Sequence, residues 1–261
     1  MPAVTVTVIT RNESGNIDAA LESVSWADEI IVVDAESTDD TAERARKHGA
    51  RVDVRAWPGF SAQKDYAASI AANDWILSLD ADERVTADLA SEVRALLRSE
   101  PSNRGYRVPR ISYYLGRWIH GTDWYPDYQL RLYDRRAAQW NGRRVHESVA
   151  LKQGEPGRLR HDLQHYPYRD ISHHLATIDH YTTLASEQMV ADGRTPSIVS
   201  VALHPPFAFL RNYVLRGGWR LGSVGFVVSA LNSYYVFLKL AKAWDRNRSS
   251  EARGQGVLPP H

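Results

Sequence analysis

The first hundred residues alternate short apolar runs with stretches of helical periodicity, and this alternation limits the possible folds more than any other feature of the chain. Val4 to Thr10, Glu29 to Val33 running into Asp34, Val52 with Val54, and Trp75 to Leu79 running into Asp80 read as strands. Runs that are apolar at nearly every position suit strands covered on both faces, and strands separated by helices pair in parallel. Helical spacing of Ile17, Leu21 and Val24 fills the first gap. Ser37 to Asp40 resembles a capping box that opens a helix through Arg46, stopped at Gly49, and residues 61–72 are helix-prone. Thr86 is placed to cap a helix with the stripe Leu89, Val93, Leu96 and Leu97. The expected fold class is α/β, a Rossmann-like doubly wound and mostly parallel sheet.

The bulk numbers exclude several functions. Thirty-two basic and 31 acidic side chains leave a formal charge of +1, which gives no global attraction to nucleic acid. With no cysteine there is no disulfide, thiolate zinc site or cysteine nucleophile, and a reducing cytoplasm is compatible. Met1-Pro2-Ala3 leads directly into Val4 without a basic then apolar export signal, so the expectation is a chain that stays in the cytoplasm. From Pro101 aromatic residues such as Tyr113, Trp118 and Trp124 interleave with Arg107, Arg110 and Arg131, a pattern expected for sheet edge and site wall. Residues 171–192 look helical. Leu221 to Leu238 carries no charge yet holds Gly222, Ser223, Gly225 and Asn232, with Arg211, Arg216, Arg220, Lys239 and Lys242 around it. That composition favours an interfacial or re-entrant helical extension on anionic lipid over a core helix pair or a true span. Ser249 to His261 is expected to be a frayed tail.

In a doubly wound sheet, ligands sit beyond the carboxyl ends of the strands. Thr10 with Arg11 to Glu13, Asp34, and Asp80-Ala81-Asp82-Glu83 all fall at such ends. Two carboxylates two residues apart at the end of a strand would leave the same side of the backbone and could meet one divalent cation, for which Mg2+ or Mn2+ suits hard oxygen ligands. A solvated acidic turn is the plain alternative for that motif taken alone. No Gly-x-Gly-x-x-Gly and no Walker lysine loop follows the first strand, so a cation is expected to neutralise a diphosphate in their place. Glu83 and Arg84 stand where an aspartyl-phosphate phosphatase loop wants small and hydroxyl residues. His161 and His165 have helical i, i+4 spacing but lack the glutamate of a metalloprotease pair.

Three strings now carry a resemblance: Val8-Ile9-Thr10-Arg11-Asn12-Glu13, Ile31-Val32-Val33-Asp34-Ala35-Glu36-Ser37-Thr38-Asp39-Asp40-Thr41 and Leu79-Asp80-Ala81-Asp82-Glu83. The chain resembles glycosyltransferase family 2, with the GT-A fold. Gln63-Lys64-Asp65-Tyr66-Ala67, Trp124 to Leu132, Val145-His146-Glu147, His165-Tyr166-Pro167-Tyr168 and Phe209 to Tyr213 make it look, more narrowly, like bacterial lipopolysaccharide core glucosyltransferases acting on heptose. The resemblance implies that Asp34 bonds the donor's base, that Thr10 and Glu13 line the nucleoside pocket, that Asp80 approaches ribose or metal, and that Asp82 ligates Mg2+ or Mn2+. Lys64 and Arg131 become candidates for stabilising the departing diphosphate. Asp127 and Glu147 are the candidate general bases for inverting transfer, with His146 a candidate for metal or diphosphate. Residues 1–100 would form the nucleotide-sugar half, 101–195 the acceptor half, 196–248 the helical extension and 249–261 the tail. The implied activity is hexose transfer, glucose from UDP-glucose, to a lipopolysaccharide core or other lipid-linked acceptor on the inner face of the cytoplasmic membrane. A non-catalytic nucleotide-sugar or carbohydrate-binding module on the same fold is the alternative. Leu221 departs from the pattern, which leads one to expect an acidic residue there.

Overall fold

The computed structural model describes residues 2–141 and 148–254, with side chains described as far as Arg248. The chain divides into two compact units, Met1–Tyr113 with Pro126–Pro167, and Tyr114–Tyr125 with Tyr168–His261.

The first unit is built on a mixed sheet. Its first half runs β1 (Val4–Thr10), α1 (Ile17–Glu22), β2 (Glu29–Asp34), α2 (Thr41–Lys47), β3 (Arg51–Val54), α3 (Phe60–Ser69), β4 (Trp75–Asp80), β5 (Glu83–Val85) and α4 (Ala87–Arg98). It continues with β6 (Gly105–Tyr114), which ends at the boundary between the units. Within the second unit comes the short β7 (Arg117–Trp118), after which the first unit resumes with β8 (Asp127–Asp134), β9 (Ala138–Trp140), β10 (Val149–Leu151), β11 (Gly157–Arg158) and β12 (Leu163–His165). The strand order is β3-β2-β1-β4-β8-β6-β12-β5. Strands β1 to β4 are parallel, as the alternating pattern predicts, and β8 runs antiparallel to both β4 and β6. The aromatic and arginine-rich stretch therefore continues the sheet from its middle, where an edge was expected.

Strand alternation sorts the sheet's side chains between two cores. Val4, Val6, Val8, Leu77 and Leu79 face Ile17, Leu21, Leu89 and Val93 of α1 and α4, while Ile9, Ile31, Val33 and Ile76 face Ala67 and Ala68 of α3. Each fully buried Val, Leu or Ile contributes roughly 1.5–3 kcal/mol of transfer free energy, so β1, buried at all of its positions, is the spine of the unit. Thr86 Oγ1 caps α4 by accepting from Leu89 N at 3.2 Å, as expected. Helix α2 departs from expectation. It begins at Thr41, and the Ser37 hydroxyl donates to Asp34 in place of capping a helix. Helix α3 stops at Ser69, short of residue 72, where Arg135 Nη1 takes up the carbonyls of Ala68 at 2.9 Å and Ala71 at 2.8 Å.

The second unit contains α5 (Ile171–Ala191), α6 (Ile198–Leu210), a π-helical turn (Arg211–Leu215), a 3-10 turn (Gly218–Leu221) and α7 (Gly222–Gly254). Helix α7 packs against α5 and α6. Residues 171–195, grouped in sequence with the acceptor half, thus lie with the helical extension. Tyr114, Ile119 and Val228 form its small core, with Trp124, Tyr168, Val224 and Leu231 against them. The elbow between α6 and α7 is held by glycine. A Cβ on Gly225 would lie 1.8 Å from the Gly218 carbonyl oxygen, so the two backbones meet only because Gly225 has no side chain.

Candidate active site

The polar groups predicted at the strand ends do gather at one rim of the first unit. In the sheet register Thr10 is opposite Asp34 and Ile9 is opposite Asp80, so Asp34 and Asp80 flank the carboxyl end of β1. With strands spaced about 4.8 Å, their Cα atoms are about 10 Å apart, the span of a nucleoside.

Asp34 is 1% exposed. Its Oδ2 accepts from Ser37 N at 2.9 Å, and its Oδ1 accepts from the Ser37 hydroxyl. Ser37 Oγ in turn accepts from Asn12 N at 2.8 Å, and Asn12 Oδ1 accepts from Thr38 N at 2.8 Å, tying the β1–α1 and β2–α2 loops together. Each Asp34 oxygen keeps a second lone-pair direction for a ligand donor. Asn12 and Glu36, with φ of 55° and 54°, hold left-handed conformations beside it. Such a conformation is ordinary for Asn but strained for Glu. Glu13 accepts from Asn16 Nδ2 at 2.8 Å and lies in the loop between β1 and α1. Thr10 Oγ1 is buried without a hydrogen-bond partner, and so are Ser78 Oγ, Thr7 Oγ1 and both amide atoms of Gln63. These orphans lie on β1, β4 and α3, the elements that meet at this rim.

The two aspartates of the motif have separate fates. Asp80 is the last residue of β4, whereas Asp82 lies in the turn before β5, so strand alternation does not aim them together. Asp80 Oδ1 receives Lys64 Nζ at 2.8 Å, and its Oδ2 receives Arg131 Nη2 at 2.6 Å. Burial alone would raise the Asp80 carboxyl, but Arg131 and Lys64 beside it hold it well below the usual carboxylate range. Both cations are buried beneath Asp80, Lys64 at 2% exposed and Arg131 at 4%.

The ion pairs continue inward. Glu83, with no solvent exposure, accepts from Arg131 and from Arg110 Nη1 at 2.9 Å through Oε1, and from Asp80 N at 3.1 Å through Oε2. Arg110 also gives Nε at 2.9 Å and Nη2 at 2.6 Å to Asp127 Oδ2, and Gln129 Nε2 donates to Asp127 Oδ1 at 2.7 Å. Lys64, Asp80, Arg131, Glu83, Arg110 and Asp127 thus form one string of alternating charge from the end of β4 to the start of β8. Sequence reasoning did not select Glu83 or Arg110 as site residues.

Asp82 Oδ2 meets His165 Nε2 at 3.3 Å, and His165 Nδ1 lies 3.2 Å from Ser112 Oγ. A carboxylate beside an imidazole whose other nitrogen is held by a hydroxyl is a donor set that fits a divalent cation, Mn2+ in particular. Asp80, with each oxygen facing a cation, offers that ion little. His146 and Glu147 lie outside the described residues, and among the described residues no group of three or more His, Cys, Asp or Glu side chains could hold a metal.

Residues 5–151 match the family model described as glycosyl transferase family 2. The chain belongs to that family. An uncharacterized glycosyltransferase of Rickettsia bellii (strain RML369-C) is 31% identical over 250 residues, covering 90% of this chain and 84% of that protein. The lipopolysaccharide core biosynthesis glycosyltransferase LpsC of Rhizobium meliloti (strain 1021) is 29% identical over 247 residues, covering 92% of this chain and 91% of that protein. A solved structure with a partial likeness is glucosyl-3-phosphoglycerate synthase from Mycobacterium tuberculosis, in complex with Mn2+, uridine diphosphate and glucosyl-3-phosphoglycerate. It has 25% identity over 44% of this chain and 45% of that chain, and a TM-score of 0.36. This family 2 protein is a glycosyltransferase with the mostly parallel α/β sheet that the GT-A resemblance implies.

Proposed function

We propose that this family 2 glycosyltransferase moves a hexose, glucose from UDP-glucose in the first instance, onto a hydroxyl of a lipopolysaccharide core or other lipid-linked glycan at a membrane surface, with inversion. The observation that carries the reading is the rim itself. Asp34 and an unpartnered Thr10 hydroxyl on one side of β1, and the Asp80–Asp82 turn on the other, are spaced for a nucleoside diphosphate. The relation to LpsC supports the acceptor class.

In this reading Asp34 accepts from the uracil imide and Thr10 bonds the nucleoside, with Glu13 at the mouth. Asp80, its position fixed by Lys64 and Arg131, accepts from the ribose hydroxyls. Asp82 and His165 are the pair that would hold Mn2+ or Mg2+. When bound there, the cation supplies charge to the diphosphate as the sugar leaves it. Asp127 is the general base: its carboxylate takes the proton of the acceptor hydroxyl as that oxygen bonds to the anomeric carbon. The anomeric carbon–oxygen bond breaks on the opposite face, and its electron pair leaves with the diphosphate. Arg110 and Gln129 hold Asp127 in a fixed orientation, which is the preorganisation a base needs.

The test is UDP release from a panel of UDP-hexoses in Mn2+, with detergent-solubilised core oligosaccharides as acceptors. Asp127→Asn should lower kcat by roughly 10²–10⁴-fold with donor KM within about threefold, the span that general-base loss commonly gives. Turnover of Asp127→Asn at near the unsubstituted rate would remove Asp127 from the mechanism. UDP binding without any release across the panel would contradict the transferase assignment of donor and acceptor.

A further inference from the structure

Beside its small apolar core, the second unit buries polar side chains and exposes a row of large apolar ones. Val199, Leu203, Phe207, Leu210 and Val214 recur at steps of four, four, three and four, so they share one face of α6 and the π-turn that extends it. All five are exposed, Leu203 at 64% and Phe207 at 61%. Leu215, Trp219, Phe226, Tyr234 and Phe237 add to the exposed apolar surface. Several polar side chains turn inward. Asn212, 1% exposed, accepts from Asp123 N at 2.8 Å and from Asn232 Nδ2 at 2.9 Å, and Asn232 Oδ1 accepts from Trp124 Nε1 at 3.0 Å. Ser233 Oγ donates to the Pro205 carbonyl at 2.7 Å, joining α7 to α6. Water favours the opposite arrangement, whereas lipid requires polar groups to be satisfied within the protein.

Charge names the partner. Between Asp192 and Asp245 there is no Asp or Glu, while Arg194, Arg211, Arg216, Arg220, Lys239 and Lys242 lie there. A second copy of the same face would bring like charges together, but a surface of anionic headgroups attracts them. Arg211 pairs with Asp123, and Arg216 Nε is 3.7 Å from the same carboxylate. Arg220, stacked 5.2 Å from the ring of its neighbour Trp219, is an exposed elbow cation placed to meet a phosphate.

Helix Gly218–Arg248 is long and apolar enough to cross a membrane by length and composition. Its partners argue against that. Lys242 Nζ bonds Asp179 Oδ1 at 2.7 Å with Thr182 and Thr183 of α5, and Arg246 pairs with Glu187 of α5 at 2.9 Å. A spanning α7 would carry this charged helix into hydrocarbon.

We infer that the outer face of α6, the π-turn and the first turns of α7 forms a one-sided anchor lying in the headgroup boundary of an anionic leaflet. The inference refines the membrane-surface part of the function proposed above and does not depend on the catalytic assignments. The full chain is tested by sedimentation with sucrose-loaded vesicles of phosphatidylcholine alone or with one quarter phosphatidylglycerol, beside calorimetry of UDP binding in Mn2+. The expected result is partition at least tenfold stronger with phosphatidylglycerol, weakened by salt, and lost in the double variant Leu203→Glu, Phe207→Glu while UDP binding is retained. Should the double variant fail to fold, Arg220→Gln tests the same face and should weaken phosphatidylglycerol binding about fivefold, the equivalent of ~1 kcal/mol per surface basic residue. Equal partition of variants and unsubstituted protein would overturn the inference. So would absence of vesicle binding together with a dimer that Phe207→Glu dissociates, or resistance to alkaline extraction with a protease-protected α7.

Discussion

At the scale of single residues, Glu83 is the buried hinge of the charge string. It serves Arg131, Arg110 and the Asp80 backbone together and has no solvent exposure of its own. Glu83→Gln should therefore cost about 3–5 kcal/mol in urea denaturation, the range for removing one partner from a buried ion pair, whereas Glu43→Gln in the exposed pair with Lys47 should leave the denaturation midpoint almost unchanged. Equal costs would show that the string is not buried as described. The places of Asp34 and Asp80 at strand ends were legible from sequence because a strand end is a local pattern. Their partners were not. Arg131 stands 51 residues from Asp80 and is brought to it by the β4–β8 pairing, and His165 reaches Asp82 through the β5–β12 pairing. No periodicity within a window of fifteen residues reports either contact. The period-two argument for Asp80 and Asp82 failed for a local reason: the strand ends at Asp80, and the chain turns before Asp82.

Among the elements, α5 carries a built-in acid sensitivity. His174 is buried, stacks on Tyr168 with ring centroids 3.8 Å apart, and lies 3.1 Å by Nδ1 from the Tyr114 hydroxyl. Burial, with His173 nearby, lowers its pKa from 6.5 to about 4. Unfolding raises it again, so the unfolded chain binds the proton between those values. The stabilisation is complete above pH 6.5 and is lost as pH falls toward 4, on the order of 3 kcal/mol. Thermal melts of the full chain should fall across that window, and His174→Gln should flatten the slope. An unchanged slope would place the titration elsewhere. The α6–α7 elbow is the other element with a sharp expectation: Gly225→Ala must move the Gly218 carbonyl and should lower stability by about 1–3 kcal/mol or more, read by the same melts. Helix α4 was predictable down to its cap because Thr86 is a local signal. The early end of α3 was not, because Arg135 arrives from the turn between β8 and β9.

For the whole molecule, the parallel half of the sheet was open to sequence reading because β1 to β4 follow one another with a helix in every gap. The rest depends on long-range order. Strand β8 enters antiparallel between β4 and β6, and the second unit joins residues 114–125 to a segment that begins at Tyr168. Composition showed that the tail differs from the first hundred residues, but only the side-chain directions reveal its exposed apolar face. The central claim is that Asp82, paired with His165 and freed from the cations that occupy Asp80, anchors a metal-bound nucleoside diphosphate. Calorimetric titration of UDP in the presence and absence of Mn2+ tests it most directly, with Asp82→Asn beside the unsubstituted chain. The account predicts that Mn2+ strengthens UDP binding at least tenfold and that Asp82→Asn removes this gain without a change in melting temperature. The same Mn2+-dependent affinity in both proteins would contradict it.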